Sequence, residues 1–360
     1  MRVAIVHDDL VQWGGAERVL LGLCEVYPDA PVYTSVFNQN NKLLKKQFES
    51  KKIITSFLQK IPGWKYLYKS LLPLYPIAFE QFVFDEYDLV VSNTTRFAKS
   101  IITKPGTTHI SYCHTPPRFL WHFSDKKNLG LLEVLMTKLR LFDQISARRV
   151  DYFLAGSQNA KARISRVYKK DSKVVYPFID LDRFRNIKEF DGGYMVVISR
   201  LNKYKKVDLA IMACLDQGIS LKVIGSGPEM DNLKGLVCDY NGNNIDFLGT
   251  IDDKMVAWVL SGAKALIIPG IEDFGLVSLE AQALGKPVIA YKSGGSLETI
   301  INGGTGIFFE EQTVNSLKIA ISKLNSMDIN PALCKENANS FSKNSFINNF
   351  KQAIDSLVYT

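Results

Sequence analysis

Residues 267–290 read IIPGIEDFGLVSLEAQALGKPVIA. An apolar run ends in Pro269-Gly270, the irregular Asp273-Phe274-Gly275 follows, then the helix-like LVSLEAQAL, then a second apolar run after Lys286-Pro287. Strand, loop, helix and strand in that order form the repeating unit of a parallel α/β sheet. The same stretch poses a chemical question. Glu272 and Glu280 stand eight residues apart, about two turns along an unbroken helix. Asp273-Phe274-Gly275 breaks the regularity, so Glu272 is expected in a loop and Glu280 on the helix that the loop introduces.

Working outward, similar strand-like runs recur along the chain. The first half holds RVAIVH (2–7), PVYTSV (31–36), DLVVS (88–92), HISYC (109–113), DYFLAG (151–156) and KVVYP (173–177). The second holds YMVVIS (194–199), SLKVIG (220–225), IDFLG (245–249), KALIIP (264–269), KPVIAY (286–291) and GIFF (306–309). Helix-like runs alternate with them, which predicts an α/β protein with two doubly wound domains in series. The breakers Pro177 and Gly192-Gly193 mark the segment between the two sets as an interdomain linker. The expected boundaries are 1–177, 178–340 and a terminal amphipathic helix over 341–360. Two such domains facing each other place a ligand cleft at their strand C-termini.

The bulk composition agrees. A chain of 360 residues with 46% apolar content is long enough for about two domains with substantial cores. Its five cysteines show no C-x-x-C spacing, so a reduced, cytoplasmic setting without a metal site is expected. No uninterrupted apolar run approaches 18 residues, and His7, Asp8 and Asp9 interrupt the N-terminal one. The net charge of +8 is concentrated in residues 38–70, which carry eight lysines and one glutamate. Lys45, Lys46, Lys51 and Lys52 alternate there with apolar and aromatic residues including Trp64. That mixture predicts docking on an anionic membrane surface rather than nucleic acid, for which no module is present.

Chemistry is sought in the loops that follow strands. Gly14-Gly15 opens a helix after the first strand, so backbone amides there can approach a phosphate or sugar oxygen. It is not G-x-G-x-x-G, which argues against a dinucleotide-binding dehydrogenase. Arg200 ends the strand at 194–199 and Lys205 stands where the next helix begins, a pair of cations able to bracket a pyrophosphate. Gly249 and Thr250 end another strand and offer backbone groups to a nucleobase. The amides of Phe274, Gly275 and Leu276 lead into the helix of Glu280, and its positive end favours an anion. Two carboxylates beside an anion site would repel phosphate, so sugar hydroxyls are their expected partners. The ligand so described is a nucleotide sugar.

With these residues the chain resembles the retaining glycosyltransferases of family 4, which have the GT-B fold. The resemblance rests on GGAE, Arg200, Lys205, the Glu272-x7-Glu280 pair, EDFGLVSLEAQALGKPVIAYKSGG and AGSQNAKARI, and it extends over essentially the whole chain. It implies that Arg200 and Lys205 stabilise a leaving diphosphate, that Glu280 binds the ribose and that Glu272 and the 274–276 amides contact the donor sugar. Gly15 would approach the donor phosphate. The segment SYCHTPPRFLW (111–121) is similar to the subgroup of bacterial O-antigen mannosyltransferases, which implies His114 near the reacting sugar and GDP-mannose as donor, with UDP-sugars the alternative. The resemblance further implies front-face transfer without a metal ion or other cofactor, an acceptor-binding first domain, a donor-binding second domain, and a terminal helix crossing back to the first. A lipid-linked glycan acceptor and a peripheral position on the cytoplasmic membrane face complete the expectation. The competing readings are a nucleotide-sugar hydrolase or epimerase, a non-catalytic carbohydrate-binding protein of the same fold, and a nucleic-acid binder that would rest on the lysines of 38–70 alone.

Overall fold

The computed structural model of the chain describes residues 1–68, 70–121, 132–240 and 242–358. Lys69 of the lysine-rich segment and the last two residues of the expected terminal helix lie outside the described residues. The chain forms two compact units, one of residues 1–178 with the helix from Lys343, the other Ile179–Ser342.

In the first unit the strands are β1 Val3–His7, β2 Val32–Thr34, β3 Ile53–Thr55, β4 Leu89–Thr94, β5 Thr108–Cys113, β6 Tyr152–Ala155 and β7 Ser172–Val174. They make one sheet in the order β3-β2-β1-β4-β5-β6-β7, every pair parallel. The order reverses direction between β1 and β4, which opens a crevice at their C-terminal ends. Strand periodicity explains the two-sided core. Ile5 turns to a cluster with Leu20, Val91 and Phe346, while Ala4 and Val6 turn to one with Tyr75, Phe79 and Val90.

The helix Lys343–Val358 packs on the helix Gly15–Val26 through Phe346 and Phe350, both buried. Gly22 makes the close approach possible. A Cβ there would sit 2.6 Å from a Phe178 ring carbon and 2.9 Å from one of Phe346. The last helix in sequence is therefore built into the first unit's core.

The second unit holds β8 Tyr194–Ile198, β9 Ser220–Ile224, β10 Ile245–Gly249, β11 Ala263–Ile268, β12 Val288–Tyr291 and β13 Gly306–Phe309. These form a second parallel sheet in the order β10-β9-β8-β11-β12-β13. Met195 and Val197 face one core cluster and Tyr194 and Val196 the other. Its own reversal point lies between β8 and β11. Where the chain enters and leaves this unit, Ile179 pairs with Ser342 and its amide donates to the Phe341 carbonyl at 3.1 Å.

The lysine-rich segment differs from the single interfacial element expected of it. It folds as the helix Lys42–Gln47, the strand β3, a 3-10 turn Phe57–Lys60 and a helical turn Trp64–Leu67. Trp64 is only 7% exposed and packs in the core with Leu58 and Phe79, so its ring is not available to a membrane. Lys51 is also engaged, its ammonium donating to the carbonyls of Cys24 and Pro28 at 3.2 and 3.0 Å. Lys45, Lys46 and Lys52 are exposed, and the exposed aromatic is Tyr66.

Candidate active site

In the first unit the crevice is lined by a buried polar network at the ends of β1 and β4. Asp8, directly after β1, is 3% exposed. It accepts six hydrogen bonds, from the amides of Thr95, Arg96, Phe97 and Ala98 and the hydroxyls of Thr94 and Thr95, at 2.6–3.2 Å. Burial pushes its carboxyl up, but the charges of Arg96 and His7 and the amides of Thr95 and Ala98 outweigh that and hold it below the usual range. Its neighbour Asp9 pairs with Arg96 at 2.7 Å and accepts from the Tyr75 hydroxyl at 3.3 Å. For Asp9 burial prevails over the pull of Arg96, and the carboxyl titrates above its ordinary value.

His114 follows β5, half-buried, with its ring edge-on to Tyr112. Asn93 near the end of β4 orients it. The Asn93 amide nitrogen donates to the Ala16 carbonyl at 2.9 Å and faces His7 Nδ1 at 3.1 Å. Its oxygen is thereby left to accept from His114 Nε2, at 2.7 Å. A carbonyl accepts only, so this arrangement puts a proton on His114 Nε2. Beyond His7 lies the buried Glu17 of the GGAE stretch, 3.7 Å from His7 Nε2. The loop carrying His114 is tied down further on. Trp121 donates to Asp143 at 2.7 Å, Tyr168 donates to the same carboxylate at 2.9 Å, and Lys99 completes a fully buried ion pair with it. Gly14 caps the helix Gly15–Val26 with extended backbone, so no left-handed turn demands glycine there. A Cβ on Gly14 would meet only the far end of the Glu17 side chain, Oε2, at 3.1 Å.

In the second unit the loops after β8, β9 and β10 pack side by side. The Leu201 amide donates to the Ser226 carbonyl at 3.0 Å, and the Gly225 amide to the Gly249 carbonyl at 2.8 Å. Gly225 permits this, for a Cβ would fall 1.9 Å from the Ser199 carbonyl oxygen. Thr250 donates to Ser226 Oγ at 3.0 Å, and Gly249 takes a left-handed φ of 64°. Arg200 is exposed in the loop after β8.

The loop after β11 carries the quoted glutamates into two ion pairs. Lys205 reaches Glu272 at 2.5 Å, and Gly270 lets the loop close on the Lys205 backbone, which a Cβ would meet at 2.7 Å. Lys206 instead caps the following helix with a left-handed φ of 53°, so Lys205 is the lysine aimed at Glu272. Gly275, with φ of 95°, starts the helix Leu276–Ala283. The 272–275 loop rests on Gly294-Gly295, whose second amide donates to the Glu272 carbonyl at 2.9 Å. A Cβ on Gly295 would overlap Phe274 Cα at 2.2 Å. Ser278 locks the helix start by bonding the Gly275 carbonyl and Thr299 Oγ1, each at 2.7 Å. Glu280 pairs with Arg183 at 2.8 Å.

The structure thus places a cation against each of the two carboxylates, which the sequence did not anticipate. Asn93, Arg183 and Ser278 escaped the sequence reading altogether. Gly294-Gly295 was legible, as a doublet closing a strand-like run. Among the described residues no cluster of three or more His, Cys, Asp or Glu is placed to hold a metal ion, and no helix is long and apolar enough to cross a membrane.

Residues 178–341 match the family described as "Glycosyl transferases group 1", and residues 13–183 match "Glycosyltransferase Family 4". The chain is 24% identical over 371 residues to alpha-1,3/1,6-mannosyltransferase ALG2 of Saccharomyces cerevisiae, covering 83% of this chain and 71% of that protein. It is 29% identical over 208 residues to an uncharacterized glycosyltransferase of Methanocaldococcus jannaschii, covering 57% of this chain. That match spans 58% of the archaeal protein's length. Among solved structures, Anabaena HepE in complex with UDP and glucose superposes with a TM-score of 0.73 at 18% identity, covering 99% of this chain and 100% of that one. Sucrose-phosphate synthase from Thermosynechococcus elongatus gives 0.74 at 19% identity, with both chains covered completely. At these identities the superpositions show a shared fold.

Proposed function

The chain is a GT-B-fold glycosyltransferase related to the group 1 and family 4 glycosyltransferases, and from that premise we propose that it moves a hexose, with retention, from a nucleotide diphosphate sugar to a lipid-linked or polysaccharide acceptor. The observation that carries this reading is the Lys205–Glu272 pair beside the helix start at Gly275. An ammonium has three protons, and Glu272 engages Lys205 through one contact, so phosphate oxygens can take the others. The helix N-terminus adds partial positive charge. Arg200 joins this charge, the Gly249-Thr250 loop backs the base, Glu280 the ribose and Glu272 the sugar. In transfer, the acceptor oxygen bonds to the anomeric carbon, the bond to the phosphate oxygen breaks, and the acceptor proton passes to that leaving oxygen. The protein's part is to hold both substrates and stabilise the charge that develops on the diphosphate.

Two donors are carried by different observations. A UDP-sugar comes first, since HepE, which shares the fold across the full chain, was solved with UDP and with UDP-glucose. GDP-mannose comes second, on the likeness to proteins named alpha-1,3/1,6-mannosyltransferases in yeast and human. Incubation with UDP-glucose, UDP-galactose and GDP-mannose, followed by proton NMR of the product's anomeric signal, tests the reading. An α-linked product from one of them is expected. A β-linked product overturns retention, and transfer from none overturns the assignment. The acceptor is proposed to lie on an anionic membrane approached by Lys45, Lys46 and Tyr66. Changing both lysines to serine is expected to slow transfer to acceptor in anionic vesicles and leave transfer to detergent-dispersed acceptor unchanged. Equal slowing in both would remove the membrane from the proposal.

A further inference from the structure

We propose that Arg183, in the segment that enters the second unit, is the positioning residue that makes Glu280 a usable ribose acceptor and spaces it from the loop after β10. The proposal rests on the reading that Glu280 binds the ribose of a nucleotide donor. Arg183 sits in the 3-10 turn Leu181–Phe184, whose preceding Asp180 caps it by accepting from the Asp182 amide at 3.3 Å. Its guanidinium forks between two elements. Nη1 donates to Glu280 Oε1 at 2.8 Å, and Nη2 meets Asp253 Oδ1 at 3.0 Å. The Arg183 and Glu280 side chains are 12% and 13% exposed, so the pair is largely withdrawn from water.

Three physical consequences follow. Glu280 stands in the helix Leu276–Ala283 between Leu279 and Ala281, both fully buried, where an unpaired carboxylate would be poorly solvated. A bare charge there would also repel the donor's diphosphate. Arg183 offsets both effects and, by gripping Oε1, fixes the carboxylate's rotation so that Oε2 is directed by the pair rather than by chance. The second arm reaches the first residue of the helix Asp253–Ser261, three residues past Thr250. One rigid guanidinium therefore sets the distance between the carboxylate for the ribose and the loop for the base. A lysine has a point charge and cannot span both carboxylates in this way. The guanidinium Nε, buried and without a hydrogen-bond partner, leaves the two carboxylates and the Phe184 ring, 5.2 Å away, to determine where Arg183 lies.

Calorimetric titration with UDP and GDP, and with their 2′,3′-dideoxy forms that lack the ribose hydroxyls, tests this on the full chain. The whole set is measured on wild type, Arg183→Met, Arg183→Lys, Asp253→Asn and Glu280→Gln. Using whichever nucleotide binds wild type, Arg183→Met is expected to weaken the complete nucleotide about 10- to 100-fold, the scale of a hydrogen bond to a charged group. Its affinity for the dideoxy form should fall clearly less, because there only the repulsion between the bare Glu280 and the diphosphate remains and the contribution through the hydroxyls is absent. Arg183→Lys should recover part of the loss, and Asp253→Asn should fall between it and wild type. In turnover, KM for the donor should rise more than kcat falls. Equal loss for complete and dideoxy nucleotides in Arg183→Met would make Arg183 a structural staple and overturn the proposal, as would no loss for either. If Arg183→Met does not fold, Arg183→Lys and Asp253→Asn decide by the same ratio. Glu280→Gln tells the two failures apart. Should it weaken binding of the complete and the dideoxy nucleotide equally, the ribose reading falls and the proposal with it; should it weaken the complete form selectively while the Arg183 variants do not, only the role of Arg183 falls.

Discussion

Asp8 and Glu272 are both carboxylates in loops that follow strands at a sheet's reversal point, yet the two units use them in opposite ways. Asp8 is buried and saturated by its own fold, with six donors from the 94–98 turn. Glu272 keeps 24% of its side chain exposed and pairs with the ammonium of Lys205. A saturated carboxylate has no capacity left for a ligand, so Asp8 builds the loop that surrounds it. A partly exposed carboxylate paired with a lysine can share that cation with an arriving phosphate and still accept hydroxyls. The lesson is that charge at a strand end is not itself a mark of a binding site; unspent hydrogen-bonding capacity is.

The contrast breaks most directly at Asp8. Asp8→Ala strips the partner from the amides of Thr95, Phe97 and Ala98, while that of Arg96 keeps the Thr94 hydroxyl, and each amide left buried without a partner costs about 1–3 kcal/mol. Partial rescue by water brings the expected loss for the first unit to roughly 4 kcal/mol, read as an early transition in urea unfolding. A first unit as stable as wild type would mean that the turn holds itself. Lys205→Ala should do the reverse, lowering turnover about 10²- to 10³-fold, the scale for losing one transition-state stabiliser. Its unfolding midpoint should barely move, since a partly exposed ion pair contributes about 1 kcal/mol or less. Near-normal turnover at saturating donor would remove Lys205 from the diphosphate site.

Acid should sharpen the comparison with a smaller effect. His109, buried in β5 with Nε2 on the Ser92 hydroxyl at 2.9 Å, is pushed down to about 3 by burial, with Arg149 and Lys99 adding to it. Because its folded value lies below the ordinary 6.5, the unfolded chain takes up a proton that the native state refuses. Stability is therefore lost as pH falls from 6.5 toward 3. Asp8 acts in the same sense lower down, since the contribution of its depressed carboxyl is lost as pH falls below the usual 3.8. His7 is raised, against the effect of burial, by Glu17 and the neighbouring aspartates, so its contribution is lost on the alkaline side, as pH rises above 6.5. Between pH 7 and 5 the first unit should lose about 2 kcal/mol through His109, and His109→Gln should flatten that slope. A slope unchanged in His109→Gln would assign the acid sensitivity elsewhere.

Which parts of this were legible beforehand follows from how far apart the interacting residues lie. The alternation of Ala4, Ile5 and Val6 between two core faces, or of Tyr194 through Val197, is written within a few consecutive residues. Every strand except β3 could therefore be read, along with the two parallel sheets they imply. β3 escaped because three half-buried residues between Lys52 and Phe57 carry too little pattern of their own, and it is pairing with β2 that makes them a strand. The same limit explains Trp64, whose lysine-rich neighbours suggested a surface that packing against Phe79 overrode.

By itself the sequence determined the fold class and the loops where chemistry is concentrated, because apolar periodicity and glycine breakers act locally. What only the tertiary structure decided is which charged groups meet which partners. Lys205 meets Glu272 across 67 residues of chain, Arg183 meets Glu280 across 97, and Asp8 meets its turn across nearly 90. The worth of a charge depends on the solvent it has lost and the partner it has gained, and both are set by neighbours that the order of residues does not place side by side.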